Sequence, residues 1–148
     1  MRAIAFQAVL LLDGPPDERA PQPVVRTIAV REDQTLEQLH EALRLAFGWA
    51  DPHMYAFWTS GKWWDRESVR YQTPFELEED DENLRSGRTP VSELDLRKRQ
   101  KIAYLFDFGD EWRVRLTLRQ SEPPDGGPYP RVLQRVGQPP PQYPALDD

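Results

Sequence analysis

Two neighbouring stretches of the sequence alternate between apolar and other residues, and this alternation constrains the fold more than any other feature. A period of two residues is typical of β-strands, in which successive side chains point to opposite faces of a sheet. Because only a few turn-forming residues separate the two stretches, they predict a β-hairpin. The apolar positions are Ile102, Tyr104 and Phe106 in the first stretch and Trp112, Val114, Leu116 and Leu118 in the second.

The length of the hairpin loop follows from register. Directly opposed residues of a hairpin share one face, so a two-residue loop at Gly109-Asp110 would oppose Phe106 to Arg113. A three-residue loop at 108–110 instead opposes Phe106 to Trp112 and keeps both apolar rows on one face. We therefore predict a loop with an odd number of residues.

The N-terminal part of the chain predicts a second hairpin. Residues 3–12 are apolar at both alternating sets of positions, as expected for a strand inside a sheet. A polar, proline-rich segment follows at residues 13–21, and a β-branched run over residues 24–30 restarts the strand pattern. We therefore expect two strands joined by a long loop.

A helix is predicted directly after this hairpin. Thr35 and Gln38 have the spacing of a capping box, in which each side chain accepts a hydrogen bond from the other residue's backbone, so the helix should begin at Leu36. Gly48 supplies the left-handed residue that commonly follows a helix. The apolar positions at helical spacing are Leu36, Leu39, Leu43, Ala46 and Phe47.

Weaker signals complete the fold prediction. Residues 53–59 predict a third strand, Thr89 and Pro90 predict a short helix to about Arg97, and a last strand is expected near residues 129–136. From Trp64 to Pro90 no periodicity is evident. The sequence predicts one α+β domain over residues 1–148. It comprises a twisted mixed or antiparallel sheet of about five to six strands, with a ββα opening packed by one main helix and one or two short helices.

Composition excludes several classes of protein. The 148 residues contain no cysteine, which removes disulfides, thiolate metal sites and thiol nucleophiles. Gln7 and Asp13 interrupt the first apolar run before it reaches the length of a signal or membrane span. We therefore expect a cytoplasmic protein with no membrane partner.

The acidity of the chain is local. The run at residues 76–82 contains six acidic residues, as many as the formal net charge of −6, and we expect a solvated acidic loop over residues 76–88. The balanced remainder lacks the broad positive field that drives non-specific nucleic-acid binding. The segment 121–148 carries eight prolines and three glycines, and is predicted as a proline-rich C-terminal segment.

Three of these segments together resemble the plasmid pRiA4b ORF-3-like family. They are residues 25–40, residues 46–57 and the hairpin turn with its flanks at residues 104–112, with order and spacing matching from about Ala3 to Leu118. The resemblance implies the family's fold and a plasmid-associated bacterial protein of a kind carried by insertion elements. It does not supply a mechanism.

The chain departs from the family pattern at two places. Many members carry a histidine soon after the hairpin tryptophan, whereas Arg113 and Val114 follow Trp112 here. Many also end in a proline-proline-glutamate-aspartate-cysteine-glycine-glycine signature, which residues 137–144 do not reproduce. A family chemistry that needed that histidine, cysteine or acidic pair would be impaired in this member.

The tip of the predicted hairpin is acidic and has two interpretations. Asp107 and Glu111 should face each other with Asp110 between them, and opposed like charges destabilise a sheet. A hard divalent cation held by these carboxylates would offset the repulsion. Alternatively, the aspartates accept hydrogen bonds from turn amides and Glu111 points to water, which is the commoner arrangement and the one we favour.

His40 and His53 are the two histidines of the chain. If the fold brings them to Asp107 and Asp110, the four side chains would form a mixed nitrogen and oxygen site for a divalent metal. A lone histidine beside a core is more often satisfied by an ordinary hydrogen-bond partner, and we favour that interpretation.

Aromatic and basic residues offer other contact points. We expect Trp49, Trp58 and Trp112 in the core, whereas Trp63 and Trp64 are candidates for exposure and for stacking on a ring-shaped ligand. The arginines of the last hairpin strand form either a phosphate-binding strip or protection of an edge strand. Prolines 139–141 either meet a partner or lie over their own domain.

Two functions follow from these observations. The first is a non-enzymatic binding or accessory module that uses the cleft between the helix and the acidic hairpin tip, with a protein or small ligand as partner and no cofactor. The alternative is a divalent-metal-dependent hydrolase of phosphate esters or nucleic acid with His40, His53, Asp107 and Asp110 as ligands. The sequence does not specify an oligomeric state.

Overall fold

Within the residues that the structure describes, the fold consists of one eight-stranded mixed sheet and one α-helix. The structure is a computed structural model and describes residues 1–12, 23–74 and 82–143. Along the chain the elements are β1 (Ala3–Leu11), β2 (Val25–Arg31), α1 (Leu36–Ala46), β3 (Tyr55–Trp58), β4 (Arg70–Gln72), β5 (Leu84–Ser86), a 3₁₀ turn (Val91–Leu94), β6 (Lys101–Phe106), β7 (Trp112–Glu122) and β8 (Arg131–Val136). Their order across the sheet is β5-β4-β3-β6-β7-β1-β2-β8.

The N-terminal predictions are confirmed. Strand β1 lies inside the sheet and pairs antiparallel with both β2 and β7. The predicted turn at residues 13–21 lies outside the described residues. Helix α1 begins at Leu36 with both hydrogen bonds of the Thr35–Gln38 capping box. At its other end, the amides of Gly48 and Trp49 donate to helix carbonyls at 3.2 and 2.9 Å, which is the Schellman arrangement.

The register predicted for the main hairpin is also confirmed. Phe106 lies opposite Trp112, and the two preceding apolar residues of β6 lie opposite Val114 and Leu116. The strands end at Phe106 and Trp112, so the loop contains five residues, 107–111, rather than the three predicted, and its count is odd as the register argument requires.

The predicted number of strands was too low. Strands β4 and β5 are short and pair in parallel, and they lie in the region where no periodicity was evident. Strands of three residues are too short to show a period of two. Strand β5 also interrupts the predicted acidic loop at 76–88, of which residues 76–81 lie outside the described residues. The short helix after Pro90 is a single 3₁₀ turn ending at Leu94 rather than near Arg97, and Thr89 does not cap it. The last strand, β8, is present where it was expected.

The two faces of the sheet are covered unequally. Helix α1 packs on one face, where the side chains of β1, β2, β6 and β7 form a large apolar core around Phe6, Leu39 and Tyr104. The opposite face carries a much smaller cluster, Ala56, Trp58, Ala103 and Leu105, with Trp63 and Phe108 packed against it. Within the described ranges, no helix is both long enough and apolar enough to cross a membrane.

Candidate functional site

His40 is a buried residue with ordinary partners. It lies on α1 with 3% of its surface exposed, and its Nδ1 atom lies 2.7 Å from the Tyr104 hydroxyl on β6. The ring stacks on Tyr55 with centroids 3.8 Å apart. Burial lowers the pKa of His40 to about 4, with Glu41 opposing and Arg44 reinforcing the shift. His40 is therefore a neutral core histidine at neutral pH, as the favoured interpretation predicted.

His53 is the histidine that reaches the hairpin loop. Its Nε2 atom lies 2.7 Å from the Tyr143 hydroxyl and 3.6 Å from Oδ2 of Asp107. Its ring contacts one edge of Phe106, and His40 packs against the same phenylalanine. The two histidines are thus separated by a core aromatic side chain, and the one on α1 does not join the loop.

In the hairpin loop at residues 107–111, the carboxylates of Asp107 and Glu111 accept hydrogen bonds from different donors, and these bonds offset the predicted repulsion. Asp107 is 8% exposed, and its Oδ1 atom accepts hydrogen bonds from the amides of Gly109 and Asp110 at 3.0 and 3.3 Å. Glu111 does not simply point to water. Its Oε1 atom accepts hydrogen bonds from the indole of Trp64 at 3.0 Å and from Arg113 at 2.8 Å. These donors lower the pKa of Glu111, with Arg113 as the larger cause.

The proposed metal ligands are not assembled. His53 and Asp107 approach each other, but the ring of His40 is held by Tyr104 inside the core, and Asp110 contributes its amide to the turn. In the part of the chain that the structure describes, no three histidine, aspartate or glutamate side chains lie close enough to hold a metal ion. No arrangement of these described residues favours the metal-dependent hydrolase.

The predicted cleft between α1 and the hairpin tip is occupied by Trp49. This indole is fully buried and stacks on Phe106 with ring centroids 4.8 Å apart. Its centroid lies 5.7 Å from that of Trp112. The C-terminal segment covers the same end of the domain, where the Gln142 side chain exchanges two 3.0 Å hydrogen bonds with the backbone of Asp51. The end of the proline-rich segment therefore lies over its own domain.

The open face of the sheet carries an aromatic and basic surface instead. Trp63 donates its indole N–H to the Tyr104 carbonyl at 2.9 Å, and the guanidinium carbons of Arg113 and Arg115 lie 5.6 and 5.9 Å from its ring centroid. Arg70 lies 5.9 Å from the ring of Trp64. We call this set the Trp–Arg surface, and it consists of Trp63, Trp64, Arg70, Arg113 and Arg115.

Trp64 has a strained backbone within this surface. Its φ is 57°, in the left-handed region that bulky residues rarely occupy, and Glu111, its hydrogen-bond partner, has φ of 51°. The indole packs edge-on against Trp58 and Phe108, yet Trp64 is 39% exposed. A large aromatic side chain on a strained backbone thus stays partly exposed at the surface.

The burial of the tryptophans can be compared with the prediction, which also missed one residue of the Trp–Arg surface, Arg70. Trp49 and Trp58 are core residues, Trp112 is partly buried against the core, and Trp63 is half-buried under its arginines. The prediction did not include Arg70, because an arginine in a stretch without periodicity carries no local signal. Only the pairing of Arg70 with Trp58 across β3 and β4 places it on the same face as Trp64.

Comparisons with known proteins agree with this architecture. A solved structure, a protein of unknown function, MM3350, from Methanosarcina mazei Go1, superposes with a TM-score of 0.72 over 95% of this chain and 72% of that one, at 21% sequence identity. At that identity the likeness shows the fold alone.

Sequence comparison gives a relative and a family. The chain is 29% identical over 120 residues to uncharacterized protein y4hQ of Sinorhizobium fredii (strain NBRC 101917 / NGR234), a match that covers 80% of this chain and 58% of the relative. The chain thus spans little more than half the length of this relative. The model of the plasmid pRiA4b ORF-3-like protein family matches residues 17–143. The chain therefore belongs to the plasmid pRiA4b ORF-3-like family.

Proposed function

We propose that the chain is a non-enzymatic binding module and that it receives a small planar ligand on the Trp–Arg surface. The backbone of Trp64 carries this proposal. A residue held in a sparsely populated region costs about 1–3 kcal/mol, and such strain clusters at binding and catalytic sites. Here the strained residue presents an indole that is 39% exposed.

The chemistry of the Trp–Arg surface fits a flat, electron-rich ring. Indole faces and guanidinium planes both stack on such rings, and neither requires a specific hydrogen-bond pattern. Arg115 makes no ion pair with any described residue and is held only over Trp63. Its guanidinium plane is therefore available for a second stacking partner.

An uncharged nucleoside tests the proposal. Adenosine at millimolar concentration should shift the indole N–H resonances of Trp63 and Trp64 in an isotope-labelled sample. The resonance of Trp49, which is fully buried in the core on the helix-covered face, should stay unchanged.

Two variants make this test specific. Trp64→Ala should abolish the shift at Trp63. Leu45→Ala, at a 66% exposed position on α1, should leave it intact. Adenosine that shifts neither resonance, or shifts Trp63 equally in Trp64→Ala, would refute the proposal.

A further inference from the structure

A cavity of about 440 Å³ opens beside Trp64, where β3, β4 and β5 meet the turn after β3. Its walls include Trp58, Trp64, Arg66, Ser68 and Arg70. Ligand cavities are typically about 300–1,000 Å³, so this one has the size of a small organic molecule. One wall is aromatic and another is cationic.

Among the described residues that line this cavity, the positive charge exceeds the negative charge. Neither Arg66 nor Arg70 has a carboxylate within ion-pair distance among residues 1–12, 23–74 and 82–143. Asp65 also lines the cavity and its Oδ1 atom accepts the amide of Glu67 at 3.0 Å, so Arg66, Arg70 and Asp65 together give the described lining a net formal charge of +1. The cavity is therefore suited to an anion.

Among the described residues, Arg70 lacks a partner for one of its donors as well as a carboxylate at ion-pair distance. Its Nε atom is buried and has no hydrogen-bond partner among the described residues. A buried donor without an acceptor is costly, so the guanidinium group of Arg70 is incompletely satisfied by the described residues. The guanidinium group also lies over the ring of Trp64, so an anion at Arg70 would be adjacent to the exposed indole.

We infer that this cavity binds the phosphate group of a nucleotide while the base stacks on Trp64. The inference rests on the proposed function and names its ligand class. Arginine suits phosphate because its planar fork donates two parallel hydrogen bonds to two oxygens. A nucleotide joins such an anion to a planar ring at a distance that one small cavity can accommodate.

The experiment compares AMP with adenosine on the same protein, by titration of the Trp64 indole resonance. AMP should bind at least about tenfold more tightly, because hydrogen bonds to a charged group are the stronger kind. Arg70→Gln and Arg66→Gln should each reduce the affinity for AMP towards that for adenosine. Arg135→Gln, at an exposed position on β8 outside the cavity, should leave it unchanged. Inorganic phosphate should compete with AMP and not with adenosine.

Each outcome separates this inference from the proposed function. Equal affinities for AMP and adenosine would overturn the inference and leave the planar-ligand surface standing. If both arginine variants still bind AMP more tightly than adenosine, the phosphate lies elsewhere, and this result would also overturn the inference. If neither compound shifts Trp64, both proposals fail. Should Arg70→Gln not fold, judged by the dispersion of its amide spectrum, the exposed Arg66 decides the question.

A free nucleotide and the end of a single strand share this chemistry. A short single-stranded deoxyadenylate that binds more tightly than AMP supports a nucleic-acid source, since further bases and phosphates then contribute. Equal affinity supports the free nucleotide.

Discussion

The Nδ1 atom of His40 lies 2.7 Å from the hydroxyl oxygen of Tyr104, and this contact joins α1 to the centre of the sheet. Both residues are buried, at 3% and 0% exposure, and lie 64 positions apart in the sequence. The contact gives a hydrogen-bond partner to a buried polar side chain on the helix and to another on the sheet. Burial lowers the pKa of His40 and so keeps it neutral at neutral pH, which affects stability in acid.

The stability of the protein should depend on His40 between about pH 6.5 and pH 4. Burial lowers the pKa of His40 from 6.5 to about 4, so in this interval the unfolded chain binds a proton that the folded protein does not. Stability is therefore unaffected above pH 6.5, falls as pH drops through the interval, and loses about 3 kcal/mol in total from this residue. Urea unfolding at several pH values measures the slope.

A matched pair of variants assigns that slope. His40→Gln retains a polar side chain opposite Tyr104 but does not titrate, so its free energy of unfolding should change less over the same interval. His53→Gln, at an exposed histidine, should retain the slope of the unmodified protein. A slope that persists in His40→Gln would contradict the assignment.

Tyr104→Phe should lower the free energy of unfolding by about 1–3 kcal/mol at neutral pH. The substitution removes the hydroxyl and leaves Nδ1 of His40 buried without its partner. Tyr55→Phe is the control, because it preserves the ring stacked on His40 and loses only a 3.4 Å contact with Glu37. Chemical denaturation should rank Tyr104→Phe as the less stable variant, and the reverse order would contradict the role of the His40 contact.

Arg26→Met should destabilise the protein by about 3 kcal/mol. The guanidinium group of Arg26 is buried and donates hydrogen bonds to the carbonyls of Ala46, Val136 and Gly137, so it connects the end of α1 to the edge strand β8. Removing it leaves these acceptors unsatisfied. Arg135→Met, at the exposed residue paired with Arg26 across the two strands, should be nearly neutral in the same urea titration. Similar losses in the two variants would refute this prediction.

Gly87→Ala should be destabilising although glycine-to-alanine changes often stabilise. A Cβ atom at Gly87 would lie 1.9 Å from the hydroxyl of Tyr55, whose buried ring stacks on His40. Gly109→Ala is a milder change, because its nearest neighbour, Oδ1 of Asp107, would be 3.4 Å away. The melting temperature of Gly87→Ala should be clearly below that of Gly109→Ala, and equal values would contradict the close approach.

Millimolar magnesium, manganese or zinc should not raise the melting temperature. His53 and Asp107 approach each other, but His40 is bonded inside the core, and two protein ligands make a weak site. A ligand that binds only the folded state must stabilise it, so a clear increase with any of these ions would revive the metal-dependent hydrolase.

Features encoded by neighbouring residues were predictable. The capping box at Thr35, the glycine after α1 and the odd loop between β6 and β7 each depend on spacing over a few positions, and each is present. The buried position of Trp49 and Trp58 also followed from their apolar character. Strands β4 and β5 were missed because their existence depends on pairing with β3 and with each other rather than on their own pattern.

The sequence by itself determined the family, the ββα opening and the hairpin register, because these depend on local hydrogen bonding and on a period of two residues. Only the tertiary structure decided which candidate side chains meet. Phe106 separates His40 from His53, and the pairing of β3 with β4 brings Arg70 to the face that Trp64 occupies. Residues distant in sequence become neighbours through strand order, and strand order depends on the packing of the whole sheet rather than on any one segment.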